Sequence, residues 1–206
     1  MTDQRTVLTG TRIVAVARSL IDANGLAKFS MRKLGAELGV DPMAVYRHFI
    51  DQEALFDGIA EALFAELDVD SLPWRGSWRP LCAEYCRRMR DTLLAHPHSV
   101  TIFATRPVRS TEAIEAGNAM IALLQRDGFP PSRALQVVRC LREFTVGHAL
   151  TLAVVELGGQ RRSRKPGPDS SEYNLLARAA DGAGIGEHFD TGLAAMLDGF
   201  AGLAGP

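Results

Sequence analysis

No uninterrupted apolar run in this chain approaches the ~18 residues needed to span a membrane. The opening residues, MTDQRTVLTG, lack the basic-then-apolar order of a secretory signal, so none is expected. Cysteine is scarce and odd in number. Three cysteines in 206 residues argue against a disulfide framework and for a reducing compartment, so the expectation is cytoplasmic residence. There is no Gly-rich phosphate loop, no metal-ligand cluster at coordinated spacing and no recognisable nucleophile–base arrangement. Period-two alternation is unpersuasive anywhere, and no internal repeat is seen. These absences weigh against a membrane protein, a disulfide-stapled domain, a metal or cofactor enzyme and a β fold. Neither cofactor nor metal is expected.

What is present is helical periodicity nearly throughout. Hydrophobic content of 47% with 23% charge is ordinary for a globular chain able to bury a sizeable core. Ile13, Val16, Ala17, Leu20 and Ile21 form one 3.6-period stripe. That stripe stops at Asn24-Gly25, where a left-handed glycine cap with Leu26 packed across it is expected. Residues 30–49, SMRKLGAELGVDPMAVYRHF, are the most informative stretch. Ser30 can cap a helix whose Leu34 and Leu38, at i and i+4, share a buried face. Gly39 supplies the positive φ that ends it, Val40 turns inward, Asp41 caps the next helix, and Pro42 occupies its first turn. This is a helix-turn-helix pattern, which places its second helix in a DNA major groove. Val45 and Phe49 would bury against the first helix, leaving Met43, Ala44, Tyr46, Arg47 and His48 as an aromatic and basic face. A plain helical hairpin with a solvated face is the alternative for the motif taken alone.

Net charge is −1, which by itself speaks against nucleic acid. Its distribution is more informative. In residues 1–52, Lys and Arg (Arg5, Arg12, Arg18, Lys28, Arg32, Lys33, Arg47) outnumber the acids (Asp3, Asp22, Glu37, Asp41, Asp51), so a mildly basic head precedes an acidic body.

Asp51 can cap a fourth helix over about 52–70, with Phe56, Ile59, Leu63 and Leu67 on one face. Pro73, Gly76 and Pro80, interleaved with Trp74 and Trp78, mark the best internal boundary. The expected domains are therefore a DNA-binding head, 1–52, joined by helix 52–70 to a second domain, 71–206. Helices are expected at about 80–95, 110–127, 131–157 and 189–203. Residues 158–171, GGQRRSRKPGPDSS, read as a loop, and its Arg161, Arg162, Arg164 and Lys165 as a solvated run. The fold is predicted to be all-α.

With those features in view, the chain resembles the TetR family of bacterial transcriptional regulators. The resemblance runs from Thr9 to about Leu63, through TRIVAVARSLIDANGLAKFS, LGAELGV, VYRHF and EALFDGIAEAL. More loosely, HPHSV, Gly128-Phe129 and FDTGLAAMLDGF are similar to family effector domains. The resemblance implies an Ω-shaped homodimer whose heads enter successive major grooves of a palindromic, double-stranded operator. It also implies a small-molecule effector in the C-terminal domain. By position, Arg32, Met43, Ala44 and Tyr46 match DNA-contacting residues; Arg47 and His48 would lie beside base edges or backbone, and Thr9 and Thr11 near a phosphate. Gln52 stands where many members carry a phosphate-contacting lysine, which implies modest affinity and a shallow salt dependence.

Tyr85, Met89, Phe103, Met120, Leu124 and Phe144, with His148 and Thr151 in an otherwise apolar stretch, are the candidate effector-pocket residues. Ordinary core packing is the alternative for each singly. Cys82, Cys86 and Cys140 read as small buried hydrophobes. Helices 131–157 and 189–203 carry small residues (Ala149, Ala153, Gly192, Ala194, Ala195, Gly199) suited to close packing, and the family resemblance assigns them to the dimer interface. The resemblance implies a ligand-responsive repressor as the leading reading. An enzyme on an all-α scaffold, or an activator with the same fold, are the other readings.

Overall fold

A computed structural model describes residues 7–106, 108–157 and 187–204. Among them every regular element is helical. The 158–171 loop and its basic run lie outside the described residues. In chain order the helices are α1 (Gly10–Asn24), α2 (Met31–Leu38), α3 (Pro42–Tyr46), α4 (Gln52–Ala65), α5 (Trp78–Ala95), α6 (Val100–Thr105), α7 (Thr111–Arg126), α8 (Pro131–Glu156) and α9 (Glu187–Ala201).

The caps explain most boundaries. Thr9, Ser30, Asp51 and Ser110 each accept the N–H three residues on, and Asp41 accepts that of Met43. Gly39 (φ 67°, ψ 31°) is a left-handed cap, with the Val40 N–H donating to the Gly35 carbonyl at 2.9 Å. Gly25 departs from expectation. Its φ of 85° comes with ψ of 149°, so the chain leaves α1 extended and enters a 3₁₀ turn, Leu26–Lys28, instead of closing a left-handed cap.

Several boundaries are corrected. Helix α4 stops at Ala65; Leu67 is buried beyond it, and a 3₁₀ turn, Val69–Ser71, replaces the expected helical tail. Helix α5 begins at Trp78, with Pro80 inside its first turn, where a missing N–H leaves nothing unpaired. Ser77 makes no side-chain cap there. Asp127 does so from the far end of α7, its Oδ2 accepting the Trp78 N–H at 2.8 Å. Helix α6, preceded by a 3₁₀ turn at Pro97–Ser99, was not expected from the sequence. The last helix runs Glu187–Ala201 instead of 189–203.

Packing is centred on the pair α5 and α8, with α6, α7 and α9 laid against α8. Helices α1, α2 and α3 form the head, and α4 joins it to the body by touching α1, α5 and α6. One continuous apolar cluster runs from Ile13 in α1 to Leu197 in α9. Head and body are also tied by polar groups. His96, just after α5, places Nδ1 2.8 Å from Asp22 Oδ2 and Nε2 3.1 Å from Glu66 Oε2, while Arg18 pairs with Glu66.

Candidate DNA-reading head and effector cavity

The head positions α3 through its buried side. Val45 and Leu34 are fully buried, and truncating such a leucine typically costs about 2–5 kcal/mol. Gly35 lets the turn come close: a Cβ there would sit 3.1 Å from the Val40 carbonyl oxygen and the Pro42 nitrogen. Phe49, half-buried, wedges the chain after α3 against α4, its ring 3.3 Å from where a Cβ on Gly58 would lie.

The opposite side of α3 faces outward. Met43 is 65% and Tyr46 40% exposed, while Ala44 is half-buried. Arg47 and His48 are exposed in the turn that closes α3, which is shorter than the sequence suggested. Arg32 is exposed on α2, beside Lys33, whose Nζ donates to the Lys28 carbonyl at 2.7 Å. Thr9 Oγ1 is engaged as the α1 cap, accepting the Arg12 N–H at 3.2 Å, with Thr11 exposed one turn edge away. Gln52 is half-buried at the first position of α4. Sequence reasoning missed Ile50, an 84% exposed apolar side chain in the α3–α4 turn. Its only signal was an isoleucine between two capping segments.

In the body, a cavity of about 530 Å³ opens among α4, α5, α6, α7 and α8. Its lining includes Phe64, Tyr85, Phe103, Thr105, Arg106, Val108, Gly117, Val138 and Arg142. Of the expected pocket residues, Tyr85 and Phe103 stand at this cavity. Met89, Met120 and Leu124 are core side chains that do not line it, because their faces of α5 and α7 turn toward neighbouring helices. Phe144 and His148 lie elsewhere: both pack on Phe189 of α9, at ring distances of 5.3 and 4.8 Å. Thr151 is exposed, and its hydroxyl donates to the Gly147 carbonyl of its own helix. Of the polar groups expected to need a ligand, Thr151 is satisfied within its own helix, while the His148 ring is covered by α9.

Arg106 and Arg142 are the cavity's cations. Arg106 pairs with Glu53 and, Nη1 to Oδ1 at 3.2 Å, with Asp57, both on α4. Arg142 donates to the Phe103 carbonyl at 3.3 Å and lies 5.6 Å from that ring's centre. Burial pushes the Tyr85 phenol well above its ordinary pKa, against a smaller opposing pull from Arg142. Cys82 and Cys86 are buried, and burial raises their thiols to about 12 and about 11. Cys140, by contrast, is exposed, contrary to the small-hydrophobe expectation. Among the described residues no group of three or more His, Cys, Asp or Glu could hold a metal ion, and no helix is long and apolar enough to cross a membrane.

A capped helix-turn-helix head braced on an all-helical body with an interhelical cavity defines a DNA-binding regulator of the one-component kind. Comparison with known proteins supplies the family. Residues 13–59 match the family model described as bacterial regulatory proteins, tetR family, and residues 72–203 match the tetracyclin repressor-like C-terminal domain. The chain belongs to the TetR family of transcriptional regulators. It is 32% identical over 204 residues to the tetracycline repressor protein class A from transposon 1721 of Escherichia coli, covering 95% of this chain and 92% of that one. The crystal structure of TetR from Acinetobacter baumannii AYE superposes with a TM-score of 0.80 at 30% identity, over 96% of this chain and 99% of the other. A variant of that protein in complex with minocycline gives 0.83 at 26% identity, over 96% of each chain. ActR from Streptomyces coelicolor in complex with actinorhodin gives 0.81 at 25% identity, over 98% of this chain and all, 100%, of that one.

Proposed function

We propose that this protein is a repressor that binds a palindromic operator as a homodimer and leaves it when a small molecule occupies the body. The observation that carries this reading is the outward face of α3, where Met43 and Tyr46 are held exposed by a buried Val45 and by caps at both ends of the turn. Arg32, Met43, Ala44, Tyr46, Arg47 and His48 are assigned to the groove, and Thr9, Thr11 and Gln52 to its phosphate walls. The working division is a head of residues 1–52, a connecting α4, and a ligand-binding and dimerisation domain from 71 onward. It acts in the cytoplasm as a binding protein and not as an enzyme.

Dimerisation through α8 and α9 is supported by what those helices leave uncovered. Leu150 and Val154 of α8 and Leu157 and Leu203 just past the two helices are more than a third exposed, beside exposed Gly147, Ala194, Ala195 and Gly199. A two-fold pair would set its α3 helices one turn of DNA, about 34–36 Å, or a multiple apart. Release requires a ligand that prefers the splayed state. Shifting occupancy from 99% to 1% takes about 10⁴-fold preference, or ~5.5 kcal/mol.

The 530 Å³ cavity is the proposed effector site, with Tyr85 and Phe103 on its wall, and α6 is the element that connects it to α4. Selecting bound DNA from a random library with the purified protein tests the DNA half of this reading. A palindromic consensus is expected; no enrichment of any sequence would refute it and return the enzyme reading to the front.

A further inference from the structure

Two features of the cavity are unsatisfied. The Tyr85 side chain is nine-tenths buried and its hydroxyl finds no hydrogen-bond partner among the described residues. A buried phenol left so is rare, and an absent polar partner is the usual reason. Arg142, half-buried on the same wall, has no carboxylate within ion-pair distance among the described residues; one backbone carbonyl and one ring are its company. Among the described residues no acidic side chain lines the cavity, while Phe64, Phe103, Val108 and Val138 make its other surfaces apolar. The second cation, Arg106, is already held by Glu53 and Asp57 of α4.

We propose that the effector is an organic anion with an apolar body, whose acidic group is received by Arg142 and the Tyr85 hydroxyl and competes with Glu53 and Asp57 for Arg106. This rests on the cavity being the effector site. The physical logic is charge compensation: a guanidinium removed from much of its water and given no counter-charge gains most from an anion that brings one. The Tyr85 O–H, a donor, completes the acceptor's shell. The competition supplies what a ligand must have to shift a population, a contact that differs between states. Each interaction the anion makes with Arg106 weakens the bond between α6 and α4, the helix on which the head is mounted.

The test uses the full-length protein and two matched probes, anthraquinone-2-carboxylate and its neutral carboxamide, titrated by calorimetry. The carboxylate should bind roughly ten- to a hundredfold more tightly, the range of a charge-assisted hydrogen bond. Arg142→Gln should remove that preference, and Arg142→Lys, which keeps the charge, should retain part of it. Glu53→Gln combined with Asp57→Asn frees Arg106 and should raise carboxylate affinity without changing that of the carboxamide; a purely structural role for the pair gives no such selective gain. Equal binding of both probes, in the parent and in Arg142→Gln, would overturn the anion proposal, as would failure of the carboxylate to bind. Gly117→Leu separates this from the cavity reading. A Cβ at Gly117 meets nothing within 4 Å, so leucine fills the space. If both probes bind equally and Gly117→Leu excludes both, the cavity stands and the anion falls. If Gly117→Leu excludes neither, the cavity itself is not the site.

Discussion

Two glycines in helix interiors offer a sharp test of the packing. Gly117 in α7 and Gly192 in α9 each cost their helix about 0.8–1.0 kcal/mol relative to alanine, through backbone entropy alone. Local propensity therefore expects both Gly→Ala substitutions to stabilise. The surroundings separate them. A Cβ on Gly117 enters open space, so Gly117→Ala should keep the whole gain. A Cβ on Gly192 would lie 2.8 Å from Cζ and 3.1 Å from Cε2 of Phe144. That ring is not free to swing, because it stacks on Phe189 at 5.3 Å with the planes 18° apart. Overpacking of this kind costs roughly 1–3 kcal/mol, which outweighs the propensity gain. At about 2–4 °C per kcal/mol for a chain of this size, Gly117→Ala should melt a few degrees higher than the parent. Gly192→Ala should melt lower, the two differing by roughly 2–12 °C. Thermal unfolding at matched protomer concentration reads this directly, since association shifts the midpoint. Adding Phe144→Leu to Gly192→Ala should recover stability relative to Gly192→Ala alone. If Gly192→Ala melts at or above the parent, the α8–α9 contact through Phe144 is not as described and the reasoning fails.

Gln52→Lys should steepen the dependence of operator affinity on salt by about 0.9 in the log–log slope per subunit, one more phosphate neutralised; an unchanged slope, measured by operator titration from low to high salt, would remove Gln52 from the DNA surface. Cys82 and Cys86 should resist a thiol reagent at pH 8 in the folded protein and react on unfolding, because burial holds their thiols at about 12 and about 11; rapid labelling of either in the native state would contradict their burial. Burial, then the neighbouring His188 and Arg90, hold the His148 imidazole below its ordinary 6.5, so the unfolded chain binds that proton more readily. Stability should be full above that range and decline as pH falls through it, and His148→Gln should flatten the decline in denaturant unfolding between pH 8 and pH 5.

The head was the most legible part of the molecule because its signals are local. Ser30, Gly39, Asp41 and Pro42 each act on backbone within three residues of themselves, so a reader of the chain can place both helices and the turn without knowing the fold. The family resemblance then assigned Arg32 and Tyr46 an outward role, and both are exposed. The proposed effector site was legible only in part. Periodicity marks which face of a helix is buried but not what covers it. Met89, Met120 and Leu124 were therefore indistinguishable in sequence from Tyr85 and Phe103, although the first three meet helices and the other two meet a cavity. His148 and Thr151 stand apart from that cavity for the same reason: the ring of one packs on Phe189 of α9, and the hydroxyl of the other donates within its own helix.

The amino-acid order alone determined the all-helical class, the caps, the helix-turn-helix and the outward face of α3, since each depends on hydrogen bonds and side-chain spacing within a turn or two. Tertiary structure alone decided the rest. It brought Asp127 to the start of α5 across 49 positions, set His96 between Asp22 and Glu66, and gathered Arg106 and Arg142 around one cavity. Those meetings depend on the angles at which helices cross, and crossing angles follow from how whole faces interlock, a property that no short stretch of chain carries.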